Sequence, residues 1–221
     1  MGKNNWEAVD KYLDKFVLDE DPILEQVLTA NKDADLPPID VTPTQGQFLT
    51  IICTITGAKS ILEIGTLGGY STICLARGVG ADGKVVTLEK SPKHAEVASK
   101  NLEHAGLRDR VDIKIGSALE SLMSIQQLSP KPTFDLFFID ADKENNPKYF
   151  DTALQLSHPG SVIIVDNVIR EGSFLNDSND PNDIGTKQLL ETVRNYDNLK
   201  TTVIQTVGGK GWDGFLMATV Y

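Results

Sequence analysis

The sequence predicts an α/β protein built on a doubly wound, mostly parallel seven-stranded sheet, with a C-terminal antiparallel hairpin and N-terminal helices. The first observation is alternation, because five short β-rich runs are separated by stretches long enough for helices. The second is a pair of further runs near the C-terminus joined by the glycine-rich segment GGKGWD, which indicates a hairpin. The predicted strands are 60–64, 84–88, 111–115, 134–139, 161–165, 201–207 and 214–220.

Helices are predicted before the first strand. Apolar residues recur with a helical period over 6–17, and those within 23–28 indicate a second helix. Thr42 precedes a proline and stands three residues before a glutamine, which is the pattern of an N-cap for a third helix. We therefore expect residues 1–40 to be a helical appendage packed on a core of residues 41–221, in a single domain overall.

Composition limits the function. The 221 residues, 40% of them hydrophobic, suffice for one large domain, and a formal net charge of -10 argues against a nucleic-acid partner. The N-terminal segment does not resemble a signal peptide, and no apolar run approaches the ~20 residues that span a bilayer. Cys53 and Cys74 lie in apolar stretches without a Cys-x-x-Cys spacing, as core residues do in a reducing compartment. We expect a soluble cytoplasmic protein with no membrane partner.

Polar segments follow each of the five predicted parallel strands. They are EIGTLGGYS (63–71), Glu89, GSA (116–118), DADK (140–143) and DN (166–167). Ligands of open α/β sheets bind beyond the carboxyl ends of the strands, where the strand order reverses. These segments therefore predict one ligand-binding crevice.

The glycine loop after the first strand is not a phosphate-binding loop. Gly65, Gly68 and Gly69 lack the Gly-x-Gly-x-x-Gly spacing of dinucleotide binders, and the loop carries no basic residue. It opens with Glu63, and Glu89 is placed to accept hydrogen bonds from ribose hydroxyls. A cationic nucleoside suits such acidic walls, which predicts S-adenosylmethionine. A mere tight turn is the alternative explanation of the loop.

The cluster of charged residues after the fourth predicted strand predicts a metal site. Asp140, Asp166 and Asn167 follow neighbouring strand ends, and two carboxylates with one amide are hard oxygen ligands for a Mg²⁺-type ion. Such an ion would chelate two adjacent hydroxyls of an aromatic ring, and Lys143 would serve as a general base. The alternative is structural, with Asp140 capping the next helix and Asp166 and Asn167 forming a turn.

Together these segments resemble the cation-dependent class I O-methyltransferases, the group that contains catechol and caffeoyl-CoA O-methyltransferases. The resemblance runs from about Val41 to Tyr221. It is carried by TPTQGQFL, ILEIGTLGGYST, FDLFFIDADKENN, VDNV and WDGF in the family's order. It implies a Rossmann-like fold, S-adenosylmethionine, a divalent cation (Mg²⁺, or Mn²⁺ or Ca²⁺) and a homodimer.

The resemblance also implies roles for individual residues. Asp140, Asp166 and Asn167 would hold the metal, and Lys143 would be the catalytic base. The residues implied at the cofactor are Val41, Thr42, Glu63, Gly65, Thr66, Ser71, Glu89, Ser117, Ala118 and Asp140. Those implied at the substrate are Asp142, Lys143, Asn167, Trp212 and Asp213. Family members usually have Gly where this chain has Trp212, which predicts a narrower or aromatic pocket wall.

The function expected is metal-dependent transfer of a methyl group to a hydroxyl of a small vicinal dihydroxy aromatic molecule. A caffeoyl-CoA-type acceptor is the first alternative, although the acidic segment 170–185, a predicted loop, offers no basic patch for a CoA ester. A nicotinamide-dependent oxidoreductase is the second, because Tyr196 and Lys200 have a Tyr-x-x-x-Lys spacing. Their segment NYDNLK, however, is typical of a turn before a strand.

Overall fold

The structure is a computed structural model that describes residues 3–176 and 179–221, without the side chains of residues 3 and 4. The strands in these residues are β1 (Ser60–Ile64), β2 (Lys84–Glu89), β3 (Val111–Ile115), β4 (Leu136–Ile139), β5 (Val162–Val165), β6 (Leu199–Gly208) and β7 (Gly211–Val220). They form one mixed sheet in the order β3-β2-β1-β4-β5-β7-β6, in which β7 pairs antiparallel with both β5 and β6. The predicted fold class is confirmed.

The helices alternate with the strands as predicted. They are α1 (Lys3–Val17), α2 (Pro22–Asp33), α3 (Pro43–Thr56), α4 (Tyr70–Gly78), α5 (Pro92–His104), α6 (Ala118–Gln126), α7 (Asn146–Gln155) and α8 (Pro181–Thr192). Short 3-10 helices occupy Arg108–Arg110, Lys143–Asn145, Arg170–Leu175 and Val193–Asn195. The Thr42 hydroxyl accepts the N–H of Gln45 at 3.2 Å, which confirms the predicted cap of α3.

The contacts divide the chain into two compact units, one of residues 13–129 and one of residues up to 12 together with 130–221. In the first unit β1 pairs in parallel with β2, and β2 with β3. Ile61 and Leu62 of β1 are fully buried, as expected for a parallel strand that is covered on both faces. The division into an appendage of residues 1–40 and a domain of residues 41–221 stays a prediction.

In the second unit β4 and β5 are parallel, β7 runs antiparallel to β5, and β6 runs antiparallel to β7. The prediction that GGKGWD is the hairpin loop is wrong. The ladder continues through the pairs Val207 with Trp212 and Gly208 with Gly211, so the turn is only two residues long. Trp212 and Asp213 therefore lie in β7 rather than in a loop.

The prediction of a loop over 170–185 is also wrong at both ends. Residues 170–175 form a 3-10 helix, interrupted by non-helical backbone, and α8 begins at Pro181. Asp180 caps α8, because its carboxylate accepts the N–H of Asn182 at 2.9 Å. Residues 177 and 178 of the predicted loop lie outside the described residues.

Both cysteines, Cys53 and Cys74, are free and buried, as predicted for core residues. Burial raises the pKa of each thiol to about 12, so neither is a thiolate at neutral pH. No helix in the described part of the chain is long and apolar enough to cross a membrane.

Candidate active site

The two aspartates predicted to bind metal come from neighbouring strand ends. Ile139 of β4 lies opposite Val165 of β5, and the N–H of Asp166 donates to the carbonyl of Ile139 at 2.9 Å. Asp140 and Asp166 therefore leave the sheet side by side at the carboxyl ends of two parallel strands. The predicted adjacency of the two strand ends is confirmed, and the metal itself stays a prediction.

Residues 166–172, here called the β5 loop, have an unusual backbone. Asn167 has φ 54°, and its N–H donates to the Asp166 carboxylate at 2.9 Å. Arg170 and Glu171, at φ 49° and 55°, and Gly172, at φ 77°, are also left-handed. Asn and Gly tolerate this conformation, whereas other residues adopt it at a cost of order 1 to 3 kcal/mol each. Surrounding contacts must therefore hold the loop.

Lys143 is buried beside a predicted metal ligand. Its side chain is 8% exposed, and its Nζ lies 2.7 Å from Oδ1 of Asp140. It opens the 3-10 helix Lys143–Asn145, and its backbone N–H donates to the Asn182 side chain at 3.0 Å. An amine held in this way can exchange a proton with a group bound at Asp140, as a general base requires.

The segment that carries Lys143 is packed tightly against α8. A Cβ at Gly185 would lie 2.3 Å from the carbonyl oxygen of Lys143 and 2.6 Å from Cα of Glu144. Neither atom belongs to a side chain that could rotate away. The backbone of Lys143 can therefore lie this close to α8 only because residue 185 is glycine.

We expect Gly185→Ala to destabilise the fold by about 1 to 3 kcal/mol and to impair the general-base role predicted for Lys143, because the added methyl displaces the Lys143 backbone. Thermal unfolding measures the first effect, and the rate of the methyl transfer that the sequence predicts measures the second. Gly209→Ala is the matched control, since a Cβ there meets no atom closer than 3.5 Å. Normal stability and activity in Gly185→Ala would show that the segment can move freely.

Asp142, predicted at the substrate, has partners within its own segment. Its carboxylate accepts the hydroxyl of Tyr149 at 2.6 Å and a hydrogen bond from the side chain of Asn145. Burial, followed by the bond to Asp142, raises the pKa of Tyr149, so the phenol stays a proton donor at neutral pH. These bonds fix the orientation of Asp142, and its contact with substrate stays a prediction.

Trp212 and Asp213 both contact the β5 loop. The indole of Trp212 donates to the Gln205 side chain at 2.9 Å, and a Cβ at Gly172 would lie 3.7 Å from the ring. One oxygen of Asp213 accepts the N–H groups of Ile169 at 3.2 Å and Arg170 at 3.0 Å. The sequence does not reveal this second role, because the bonded residues are 43 and 44 positions away.

In the unit of residues 13–129, Glu63 is fully buried within a cluster of hydroxyl groups. Its carboxylate accepts the hydroxyls of Ser71 at 2.7 Å, Thr72 at 2.5 Å and Thr87 at 2.6 Å. These bonds join β1, β2 and α4 at the glycine loop. Glu63 was predicted at the methionine part of the cofactor, and the structure shows it supporting that loop from inside.

Glu89 holds the backbone of the glycine loop. One carboxylate oxygen accepts the N–H groups of Thr66 at 3.2 Å and Leu67 at 2.9 Å, and the other accepts that of Ser91 at 2.8 Å. Gly65, at φ 100°, and Leu67, at φ 50°, turn the chain there. The predicted ribose acceptor therefore also shapes the loop around the predicted ligand, and its contact with ribose stays a prediction.

Two asparagines that sequence reasoning missed support the same loop. The side chain of Asn101 donates to the carbonyl of Gly68 at 2.8 Å and to Asn31 at 3.1 Å. A Cβ at Gly68 would lie 1.9 Å from the Asn31 oxygen, so only glycine fits there. A sequence pattern could not find this pair, which is 70 residues apart.

The remaining predicted cofactor residues lie at helix starts or inside the loop. Val41 is buried and directly precedes Thr42, the cap of α3. Ser117 is at the N-cap position of α6 without a capping bond from its side chain, and Ala118 is the first residue of that helix. Thr66 is buried, and its hydroxyl lies 2.6 Å from that of Thr87.

The mixed seven-stranded sheet with its antiparallel C-terminal pair matches the class I methyltransferase fold. The family described as O-methyltransferase matches residues 14–211. A catechol O-methyltransferase of Mycobacterium tuberculosis is 50% identical over 96% of this chain and 94% of that protein. A catechol O-methyltransferase of Niastella koreensis is 40% identical over the whole of both chains. The solved O-methyltransferase of Bacillus cereus in complex with SAH is 52% identical over the whole of both chains, with a TM-score of 0.97.

This chain belongs to the O-methyltransferase family and is an S-adenosylmethionine-dependent enzyme of that family. The alternative of a nicotinamide-dependent oxidoreductase is therefore wrong. Tyr196 follows the 3-10 helix Val193–Asn195 and Lys200 lies in β6, so the pair is not on a helix beside a cofactor.

The donor set at the ends of β4 and β5 suits a hard divalent cation. No cluster of three or more His, Cys, Asp or Glu side chains suited to a metal occurs among residues 3–176 and 179–221. The predicted ligands do not form such a cluster, because Asp140 and Asp166 are only two carboxylates and the third ligand, Asn167, is an amide. Carboxylate and amide oxygens are the ligands that Mg²⁺, Mn²⁺ and Ca²⁺ prefer. The residues present fit such an ion.

Proposed function

We propose that this enzyme transfers the methyl group of S-adenosylmethionine to one hydroxyl of a small vicinal dihydroxy aromatic molecule, with a divalent cation such as Mg²⁺ as cofactor. The observation that supports it best is the buried Nζ of Lys143, 2.7 Å from Asp140. Asp166 leaves the neighbouring strand next to it. An amine and two carboxylates therefore lie together at the carboxyl ends of two neighbouring strands.

Asp140, Asp166 and Asn167 are the proposed metal ligands. When bound, the cation would hold the two neighbouring hydroxyls and favour loss of a proton from a phenol whose ordinary pKa is about 10. Lys143 would accept that proton at Nζ. Burial of the lysine keeps bulk water from competing for this position.

The residues predicted at the cofactor lie in the unit of residues 13–129, apart from Asp140. Glu89 would accept the ribose hydroxyls, and Ser117 with Ala118 would lie at the adenine. The loop that follows β1 would present its backbone to the methionine part. Glu63 would act through this loop, because its own carboxylate is fully buried among hydroxyls.

A free catechol is favoured over a CoA ester as acceptor. The relatives from Mycobacterium tuberculosis and Niastella koreensis are named catechol O-methyltransferases. CoA carries several negative charges, whereas this chain has a net charge of -10, and Arg170 is the one basic residue in the sequence 170–185. A small aromatic diol without phosphate groups meets no such repulsion.

The test is mass-spectrometric detection of methyl transfer to a panel of catechols and caffeoyl-CoA, with Mg²⁺ and with excess EDTA. We expect methylated catechol with Mg²⁺, none with EDTA, and recovery when Mg²⁺ is added back in excess. Equal product with EDTA would overturn the metal dependence. Preference for caffeoyl-CoA in direct competition would overturn the proposed acceptor class.

We further propose a cytoplasmic homodimer. Val203, Ile204 and Val207 of β6 are 37%, 45% and 57% exposed, and this strand is last in the order of the sheet. A second copy would cover these side chains and the open edge of β6. Light scattering of the purified protein measures its oligomeric state.

The free thiols of Cys53 and Cys74 suit a reducing compartment, which supports the proposed location in the cytoplasm.

A further inference from the structure

The carboxylate of Asp213 collects an unusual number of backbone hydrogen bonds. Its Oδ1 accepts the N–H groups of Ile169 at 3.2 Å, Arg170 at 3.0 Å and Gly214 at 2.8 Å. Two of these donors belong to the β5 loop and the third to β7. A charged acceptor makes stronger hydrogen bonds than a neutral one, so this single oxygen ties the loop to β7.

Other contacts join the same two segments. The N–H of Val168 donates to the carbonyl of Gly214 at 2.9 Å. A Cβ at Gly214 would lie 2.8 Å from the side chain of Ile169 and 2.3 Å from the carbonyl of Ile204, so β7 approaches the loop at a distance that only glycine permits. Trp212 packs on Gly172 at the far end of the loop.

The loop needs such support because its backbone is strained. Arg170 donates its N–H to Asp213 and itself has φ 49°, and the next residue, Glu171, has φ 55°. Left-handed residues of these types persist only where the surroundings determine them. The Asp213 oxygen is bonded to one of these two strained positions.

From these contacts we infer that Asp213 is a positioning residue for the metal site: its carboxylate holds the β5 loop in the conformation that presents Asp166 and Asn167. Asn167 is two residues before Ile169. Loss of the hydrogen bonds from the Ile169 and Arg170 N–H groups would therefore let the backbone of Asn167, the proposed amide ligand, move. This inference rests on the proposed function, because it assumes that Asp166 and Asn167 bind the cation.

The test compares Asp213→Ala, Asp213→Asn and the wild-type protein by two measurements. The first is the affinity for Mn²⁺, titrated calorimetrically without acceptor. We expect Asp213→Ala to weaken it by about 10-fold, the lower end of the loss found for direct outer partners of metal ligands, because Asp213 acts through the backbone of Ile169 and Arg170. Asp213→Asn retains an oxygen acceptor and is expected to rescue part of the loss. If Asp213→Ala fails to fold, Asp213→Asn carries the comparison.

The second measurement is amide hydrogen exchange of residues 167–172 without metal. We expect faster exchange in Asp213→Ala, because the loop has lost its acceptor. Asp10→Asn is the matched control, since that carboxylate accepts the N–H of Gly209 at 2.6 Å, on the same hairpin but outside the β5 loop. Both readouts should match the wild type in Asp10→Asn, and binding of S-adenosylhomocysteine should be unchanged in every variant.

The outcomes separate this inference from the proposed function. Unchanged exchange and unchanged Mn²⁺ affinity in Asp213→Ala, with a raised KM for catechol, would overturn the inference and make Asp213 a substrate contact. Absence of Mn²⁺ binding by the wild-type protein would overturn the proposed metal site, and with it the assignment of Asp213 to that site. Faster exchange would in that case still identify Asp213 as the residue that holds the loop.

Discussion

Replacing Lys143 by Met is expected to lower kcat for catechol methylation by about 10² to 10⁴-fold, the range in which a positioned general base contributes. The change removes the Nζ that lies 2.7 Å from Asp140 but keeps an unbranched side chain in a buried position. Without the amine, the acceptor hydroxyl loses the group to which its proton would pass. The reaction then depends on the fraction of acceptor that ionises without this base.

The measurement is kcat and KM at saturating S-adenosylmethionine and Mg²⁺. Lys148→Met is the matched control, since that lysine is exposed and donates to the Asn145 side chain in its own segment at 3.0 Å. Affinity for S-adenosylhomocysteine should stay at the wild-type value in both variants. A Lys143→Met enzyme with full activity would remove the lysine from the mechanism.

Replacing Glu63 by Leu is expected to destabilise the protein by about 3 to 5 kcal/mol, because three buried hydroxyl groups lose their acceptor at once. The carboxylate is fully buried and joins Ser71, Thr72 and Thr87. Each hydroxyl left without a partner costs about 1 to 3 kcal/mol, and part of the loss is recovered when the hydroxyls turn to other acceptors. The glycine loop beside this cluster would loosen as well.

Denaturant unfolding gives the free-energy change, and calorimetry with S-adenosylhomocysteine gives the change in affinity. Glu63→Gln retains one oxygen acceptor and is expected to lose less stability than Glu63→Leu. Glu103→Leu, at an exposed position of α5, serves as the surface control. Wild-type stability in Glu63→Leu would show that the hydroxyl cluster does not depend on its carboxylate.

Much of the fold could be predicted because its signals are local. Strands 60–64 and 111–115 were predicted with the observed bounds, since both are short β-rich runs. The start of α8 was missed because the Asp180 cap lies in a segment whose composition is typical of loops. The predicted hairpin strands are too short, because glycine is typical of loops whereas here the ladder passes through Gly208 and Gly211.

Residues of the candidate site could be predicted where polar side chains directly follow a strand. They could not be predicted where their hydrogen-bond partners are distant in the sequence. Asp140 and Asp166 could be placed together because adjacent parallel strands end at one edge. The bonds of Asp213 to the β5 loop and of Asn101 to Gly68 join residues 33 to 44 positions apart, and no short motif records them. Their geometry is set by packing.

The hydrogen bonds of Glu89 to the glycine loop have a consequence for product release. These bonds come from within the protein itself, so the loop would need little ordering when a nucleoside binds. S-adenosylmethionine and its demethylated product carry the same ribose and adenine, and a rigid loop holds both alike. Discrimination between the two would then rest on the positive charge at the sulfur of S-adenosylmethionine. The demethylated product would compete with S-adenosylmethionine for the site in proportion to its concentration in the cell.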